Sequence, residues 1–180
     1  MTNRIDTSIT MMALSLLDDK LARDHKDPLR LIVGGASALV GAYQYPDSTM
    51  DIDAILQGAE LTDIEKQIHE VGKELKLGAD WLNSHYSAYT IYIPSDFKTR
   101  LKRFFSGKKL VADALGAEEL LIMKFMAGRA KDQSHIRFLL KQKNVNLKIV
   151  EARLEELLKL YPKVAEKSIE LFDELTGGEE

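Results

Sequence analysis

LIVGGASALVGAYQYPDSTMDIDAIL, residues 31–56, is the stretch on which the reading of this chain turns. It opens on an apolar run, turns on Gly34 and Gly35, continues with small residues at helical spacing, and ends on a strand-like run carrying Asp51 and Asp53. The predicted order is strand, glycine turn, helix, strand. Asp51 and Asp53 are two residues apart, so a strand sets both carboxylates on one face and Ile52 on the other. Each charge raises the cost of ionising its neighbour. Solvent can relieve that cost, and so can a hard divalent cation with oxygen ligands. A glycine pair after a strand lets the backbone approach a ligand closely, and the helix N-terminus that follows attracts anions such as phosphate. Magnesium is typically bound by one or two carboxylates plus substrate phosphates, so the turn and the pair make a coherent whole. Taken singly, each has a plain structural reading: a strand turning into a helix, and a solvated strand face.

The 180 residues are 45% hydrophobic and 29% charged, with a net charge of −3, which suits one soluble domain or a small domain with an appendage. That balance argues neither for nor against a nucleic-acid partner. Cysteine is absent, which excludes disulfides and thiolate metal sites. The opening apolar stretch is too short and too soon interrupted by acids to span a membrane, and a cytoplasmic protein is expected. An amphipathic first helix should end at Asp27 and Pro28. Residues 61–78 predict a helix with Thr62 as N-cap, Glu65 three residues on and Gly78 as stop. WLNSHYSAYTIYIP (81–94) is aromatic and β-branched and predicts extended chain. RLKRFFSGKKLVADAL (100–115) predicts two short strands around Ser106 and Gly107, although its first half also fits a helix. From Gly116 onward four segments carry helical spacing. The expected organisation is an α/β core over residues 1–115, a helical region over 116–176 packed on it, and a disordered tail over 177–180.

The Gly-Gly turn ahead of Asp-x-Asp in residues 31–56 resembles the signature of the nucleotidyltransferase superfamily of the DNA polymerase β type. WLNSHYS (81–87) and EELLIMKFMAGRAKDQSHIRFLL (118–140) look like later segments of its minimal bacterial members. Those include a nucleotidyltransferase-like family with a WLN segment and the transferase toxins related to abortive-infection proteins. The resemblance covers residues 29–140. It implies an α+β fold, with a small mixed β-sheet flanked by helices and followed by a C-terminal helical bundle. It also implies that Gly34, Gly35 and Ser37 contact the triphosphate of a nucleotide, and that Asp51 and Asp53 are the catalytic metal ligands for Mg2+ or Mn2+. Lys124, Lys131 and Asp132 match a lysine, basic residue and aspartate that in some relatives contact the nucleotide or support the active site. His135 stands where relatives often show an aspartate.

Two functions follow from the resemblance. One is transfer of a nucleoside monophosphate from a nucleoside triphosphate to a hydroxyl on RNA, protein or a small molecule. The other is a binding module without catalysis, a nucleotide sensor or one component of a toxin-antitoxin pair. The intact Gly-Gly-x-Ser and Asp-x-Asp favour the first, the loss of a third carboxylate favours the second, and three departures keep both alive. The third carboxylate usual on a later strand has only Asp96 and Asp113 as candidates by position, Asp47 replaces a common basic residue, and Ser84 follows Asn83 where an acid is common.

Read without the family, Lys124, Lys131 and His135 fall within about 40° of one another on a continuous helix and form a cationic stripe. Equally, Arg129 can pair with Asp132, Asp132 can cap a second helix, and Lys124 can lay its stem over the core. KTRLKRFFSGKK (98–109) interleaves six basic residues with two phenylalanines, as a polynucleotide site or a solvated strand pair would. His25, His69 and His85 sit among polar neighbours without ligand spacing and read as surface residues.

Overall fold

The structure, a computed structural model, describes residues 2–177; the expected tail beyond Gly177 lies outside them. The chain divides into two compact units, Met1–Ser87 with Leu101–Leu115, and Ala88–Arg100 with Gly116–Glu180.

The first unit is built on a mixed five-stranded sheet, as expected of the α+β class. Its central strand β1 (Leu29–Val33) pairs antiparallel with β2 (Ile52–Leu56) and parallel with β5 (Leu110–Ala114). The short β3 (Leu82–Asn83) lies parallel to β2, and β4 (Lys102–Ser106) lies antiparallel to β5, giving the order β3-β2-β1-β5-β4. Two registers matter for the site: Val33 faces Ala54, and Asp53 faces Asn83. Strand β1 therefore ends beside the start of β2.

Three helices belong to this unit: α1 (Thr7–Arg23), α2 (Gly35–Tyr43) and α3 (Glu65–Glu74). Asp6 caps α1 by accepting from the Ile9 N–H, and Ala13, Leu14, Leu17 and Leu21 form its buried stripe. The helix stops at Arg23, four residues before Asp27. Asp18 is buried on α1 and accepts the backbone N–H groups of Lys108, Lys109 and Leu110 at 2.9, 2.6 and 2.7 Å. One carboxylate thus ties the β4–β5 turn to a helix.

Two local expectations are corrected. Thr62 is not an N-cap: a 3-10 turn, Leu61–Ile64, precedes α3, and its capping box is formed by Glu60 and Asp63. After α3 the chain leaves through Lys76 in the left-handed region (φ 54°), ahead of Gly78. Residues 81–94 are extended only at β3, and His85–Tyr92 form a 3-10 helix. Two buried aromatic anchors explain this. The Trp81 indole N–H donates to the Ile68 carbonyl, and the Tyr86 hydroxyl donates to the Ile32 carbonyl. Five residues apart, the two rings would point to opposite faces of a strand. The chain has to curl to bury both, and tertiary packing overrides β-propensity.

The second unit is helical: α4 (Ala117–Ala127), α5 (Gln133–Leu140), α6 (Leu147–Leu160) and α7 (Pro162–Thr176). The buried α4 packs on the other three. Phe125 meets Phe172 edge-on at 5.5 Å, and the Ser168 hydroxyl donates to the Phe125 carbonyl. Asn146 caps α6, and Pro162 opens α7 where its missing N–H costs nothing. Helix α4 does not run on into α5. Gly128 ends it in the left-handed conformation (φ 58°), and a 3-10 turn, Ala130–Asp132, intervenes, so the continuous cationic stripe is not formed. Among the described residues no helix is long and apolar enough to cross a membrane.

Candidate functional site

The site in the first unit starts where β1 gives way to α2. Gly34 donates its N–H to the Asp53 carbonyl at 2.9 Å, fastening the turn to β2. A Cβ on Gly34 would stand 2.8 Å from the Tyr86 ring, so only glycine lets that ring lie against the turn. Gly35 has φ +60°, and a Cβ there would stand 2.6 Å from the Asp53 carboxylate. Both the backbone conformation and the close approach require glycine.

Ser37 is 1% exposed and bridges the turn and the strand. Its hydroxyl donates to the Gly34 carbonyl and accepts the Asp53 N–H, both at 2.9 Å. Ser37 therefore positions the turn from which α2 starts. Gly34 offers no side-chain cap for that turn. Ser37→Ala would leave the Asp53 N–H without its partner, while the Gly34 carbonyl keeps the Ala38 N–H, an expected loss of about 1–3 kcal/mol. Calorimetry of the variant checks this.

Asp51 and Asp53 come together with His85: each offers one ligand atom, and these atoms lie within 4.8 Å of one another. This is the group of potential metal-ligating side chains found among the described residues. Both carboxylates are partly buried and His85 is exposed. Asn83 organises the group. Its amide nitrogen donates to Asp51 at 3.0 Å and to the Asp80 carbonyl at 3.1 Å, while its oxygen accepts the His85 N–H at 2.9 Å. A flipped amide would turn an oxygen toward a carboxylate and a carbonyl, so these partners fix the orientation. Thr49 adds a 3.3 Å hydrogen bond to Asp51. Burial, reinforced by the Asp53 charge, pushes the Tyr86 phenol up, which keeps it the donor to Ile32.

The WLN segment therefore has a physical meaning. Trp81 anchors it to the core, and its carbonyl accepts the Ile52 N–H at 2.6 Å. Leu82 pairs with Ile52, and Asn83 aims Asp51. His85 and Tyr86 were not found from sequence as site residues, because they reach the site only through the curl after β3.

The two position-based candidates for a third carboxylate are each engaged by arginine within their own unit. Both oxygens of Asp113 are taken by Arg30 and Arg103. Burial pushes the Asp113 carboxyl up, and the two guanidinium groups outweigh it and hold the group below the usual range. Asp96 lies in the second unit in a bidentate pair with Arg100 at 2.9 and 2.7 Å. The basic stretch is likewise engaged within the fold. Arg100 also meets Glu119, Lys102 lies 4.3 Å from the centre of the Tyr43 ring, and Arg103 pairs with Asp113.

Lys124, Asp132 and His135 belong to the second unit. Lys124 and Asp132 are buried at 4% and 2% exposure, so the lysine does not reach out over the surface. The Lys124 ammonium donates to Asp132 at 3.0 Å and stands 3.0 Å from His135 Nδ1, and Arg129 donates to the other Asp132 oxygen at 2.6 Å. Burial pushes the lysine down, against the pull of Asp132. For Asp132, burial acts upward, but His135, Arg129 and Lys124 outweigh it and hold the carboxyl below its usual range. Lys131 is exposed.

A sheet of this order with a glycine turn against an Asp-x-Asp strand defines a nucleotidyltransferase-like protein. The family described as "Nucleotidyltransferase of unknown function (DUF6036)" matches residues 12–173, and the chain belongs to that family. Among solved structures, an antigenic nucleotidyltransferase-like protein from Paracoccidioides brasiliensis is similar at 12% identity and a TM-score of 0.43, covering 92% of this chain and 94% of that one. Comparison with curated proteins returns no match.

Proposed function

We propose that the first unit binds a nucleoside triphosphate with a divalent cation and transfers the nucleoside monophosphate to a hydroxyl acceptor. A bond forms between the acceptor oxygen and the α-phosphorus, the α–β phosphoanhydride breaks, and pyrophosphate leaves. The observation that carries this reading is the meeting, at one end of β1 and β2, of the glycine turn with the carboxylate pair that Asn83 orients.

Asp51 and Asp53 fit a hard divalent cation, Mg2+ or Mn2+, by their donor chemistry and by the space that Gly35 leaves beside Asp53. When bound, the cation supplies neutralisation of phosphate charge and activation of a hydroxyl. The chain's own groups do the rest. The amides of Gly35, Ala36 and Ser37, at the positive end of α2, take the phosphate oxygens. Ser37 holds that turn in register with β2, and Tyr86 closes its flank. On this reading Lys124 and Asp132 brace their own unit. The acceptor is RNA, a protein or a small molecule, and the activity belongs in the cytoplasm, where nucleoside triphosphates are supplied.

One observation favours a second reading. Among the described residues no third carboxylate joins Asp51 and Asp53. A module that binds nucleotide without transfer, as a sensor or a toxin-antitoxin component, would need none. The two are separated by incubating the protein and cation with each α-labelled nucleoside triphosphate and with RNA, protein or small-molecule fractions. Labelled acceptor with pyrophosphate release is the expected result. Tight nucleotide binding with no label in any fraction would leave the module.

A further inference from the structure

We propose that His85 supplies a third, nitrogen donor to the cation held by Asp51 and Asp53, so that the site prefers a divalent transition ion such as Mn2+ to Mg2+. This rests on the reading that the two aspartates hold a cation.

The case is geometric. The imidazole of His85 offers a ligand atom within the same 4.8 Å as the two carboxylates, on an exposed side where an ion can enter. Its placement is built. The backbone N–H of His85 is caught by the Asn83 oxygen at 2.9 Å, and the same side chain grips Asp51 from its nitrogen end. A single amide therefore holds one oxygen donor and the backbone from which the nitrogen donor projects. Tyr86, the next residue, is locked by its hydrogen bond to Ile32, so the start of the 3-10 helix is held from both sides.

The chemistry of the donor set gives the selectivity. Mg2+ strongly favours oxygen ligands and keeps several waters, whereas imidazole nitrogen suits the borderline transition ions. Mn2+ shares the preference of Mg2+ for carboxylate oxygen but, as the weakest member of the transition series that takes imidazole, gains more from one nitrogen donor than Mg2+ does. The same residue also accounts for a site with two rather than three carboxylates: Asp113 is held by Arg30 and Arg103, and His85 occupies the third place without adding a negative charge.

The test uses Mn2+ alone on the tag-free full chain, with binding followed by electron paramagnetic resonance and its ligands by electron spin echo envelope modulation. The wild type is expected to bind Mn2+ with the modulation of a directly coordinated nitrogen. In His85→Ala that modulation disappears and Mn2+ affinity falls about tenfold or more. Mg2+ affinity, measured by competition, changes far less. His85→Gln serves as a second variant of similar size. Bound Mn2+ without nitrogen modulation, or modulation that survives in both variants, overturns the role of His85 and leaves the aspartate site standing. A folded wild type that binds no Mn2+ overturns the cation reading of Asp51 and Asp53 together with it.

Discussion

Replacing Asp51 and Asp53 together by Asn is expected to weaken binding of a cation–triphosphate complex by more than about 100-fold while the protein stays folded. Changes to groups that merely support metal ligands already cost about 10- to 100-fold in affinity, so loss of two anionic ligands should exceed that range. The hydrogen bonds that Asp51 takes from Asn83 and Thr49 do not depend on a negative charge. An Asn at 51 can accept from Asn83 through its one oxygen and donate from its nitrogen to the Thr49 hydroxyl, and the backbone of residue 53 keeps its bonds to Gly34 and Ser37. Two carboxylates this close repel in the absence of a cation, so removing both charges relieves that repulsion and the variant should remain folded. Isothermal titration with Mg2+ and a nucleoside triphosphate, beside a calorimetric melt, measures both. A large loss of stability with binding unchanged would make the pair a structural feature.

Asp132→Ala should be among the most destabilising single changes, by about 3–5 kcal/mol, because it strands a buried cation. Lys124 is 4% exposed and has Asp132 as its anionic partner, and Arg129 loses the same carboxylate. Replacing Lys124 and Asp132 together by apolar residues of similar volume should restore most of the loss, since an intact buried pair gains little over good packing. The pH dependence has a definite sign. The folded carboxyl of Asp132 sits below its ordinary value of about 3.9, so its contribution is present above that pH and lost as pH falls through the folded value. The wild type should lose stability on acidification below about pH 4 by a component that Asp132→Ala lacks. Chemical denaturation from pH 7 to pH 2 checks this.

The local order of elements around residues 31–56 was legible because each signal there is short in range. Alternation sets the two aspartates on one face, and glycines follow a strand where the chain must turn. The C-terminal helices were legible for the same reason, from apolar residues at helical spacing. What sequence could not show depends on contacts across the fold. Trp81 and Tyr86 curl a segment whose composition reads as strand, and that curl brings His85 to the carboxylates. The Ser37 hydroxyl is bonded to both Gly34 and Asp53, which sequence could not show, and only its backbone amide is left to meet a phosphate. Lys124 and His135 meet across a helix break rather than along a continuous helix, and Gly128 alone was too weak a signal to place that break.

The central claim is that the glycine turn and the aspartate pair together hold a cation-bound triphosphate. The most direct measurement is a titration of the wild type with Mg2+ and each of the four nucleoside triphosphates, following backbone amide shifts by NMR. The account predicts cation-dependent shifts centred on Gly34, Gly35, Ala36 and Ser37 and on Asp51 and Asp53, absent when both aspartates are replaced by Asn. A folded wild type whose amides there do not respond to any of the four nucleotides would contradict it.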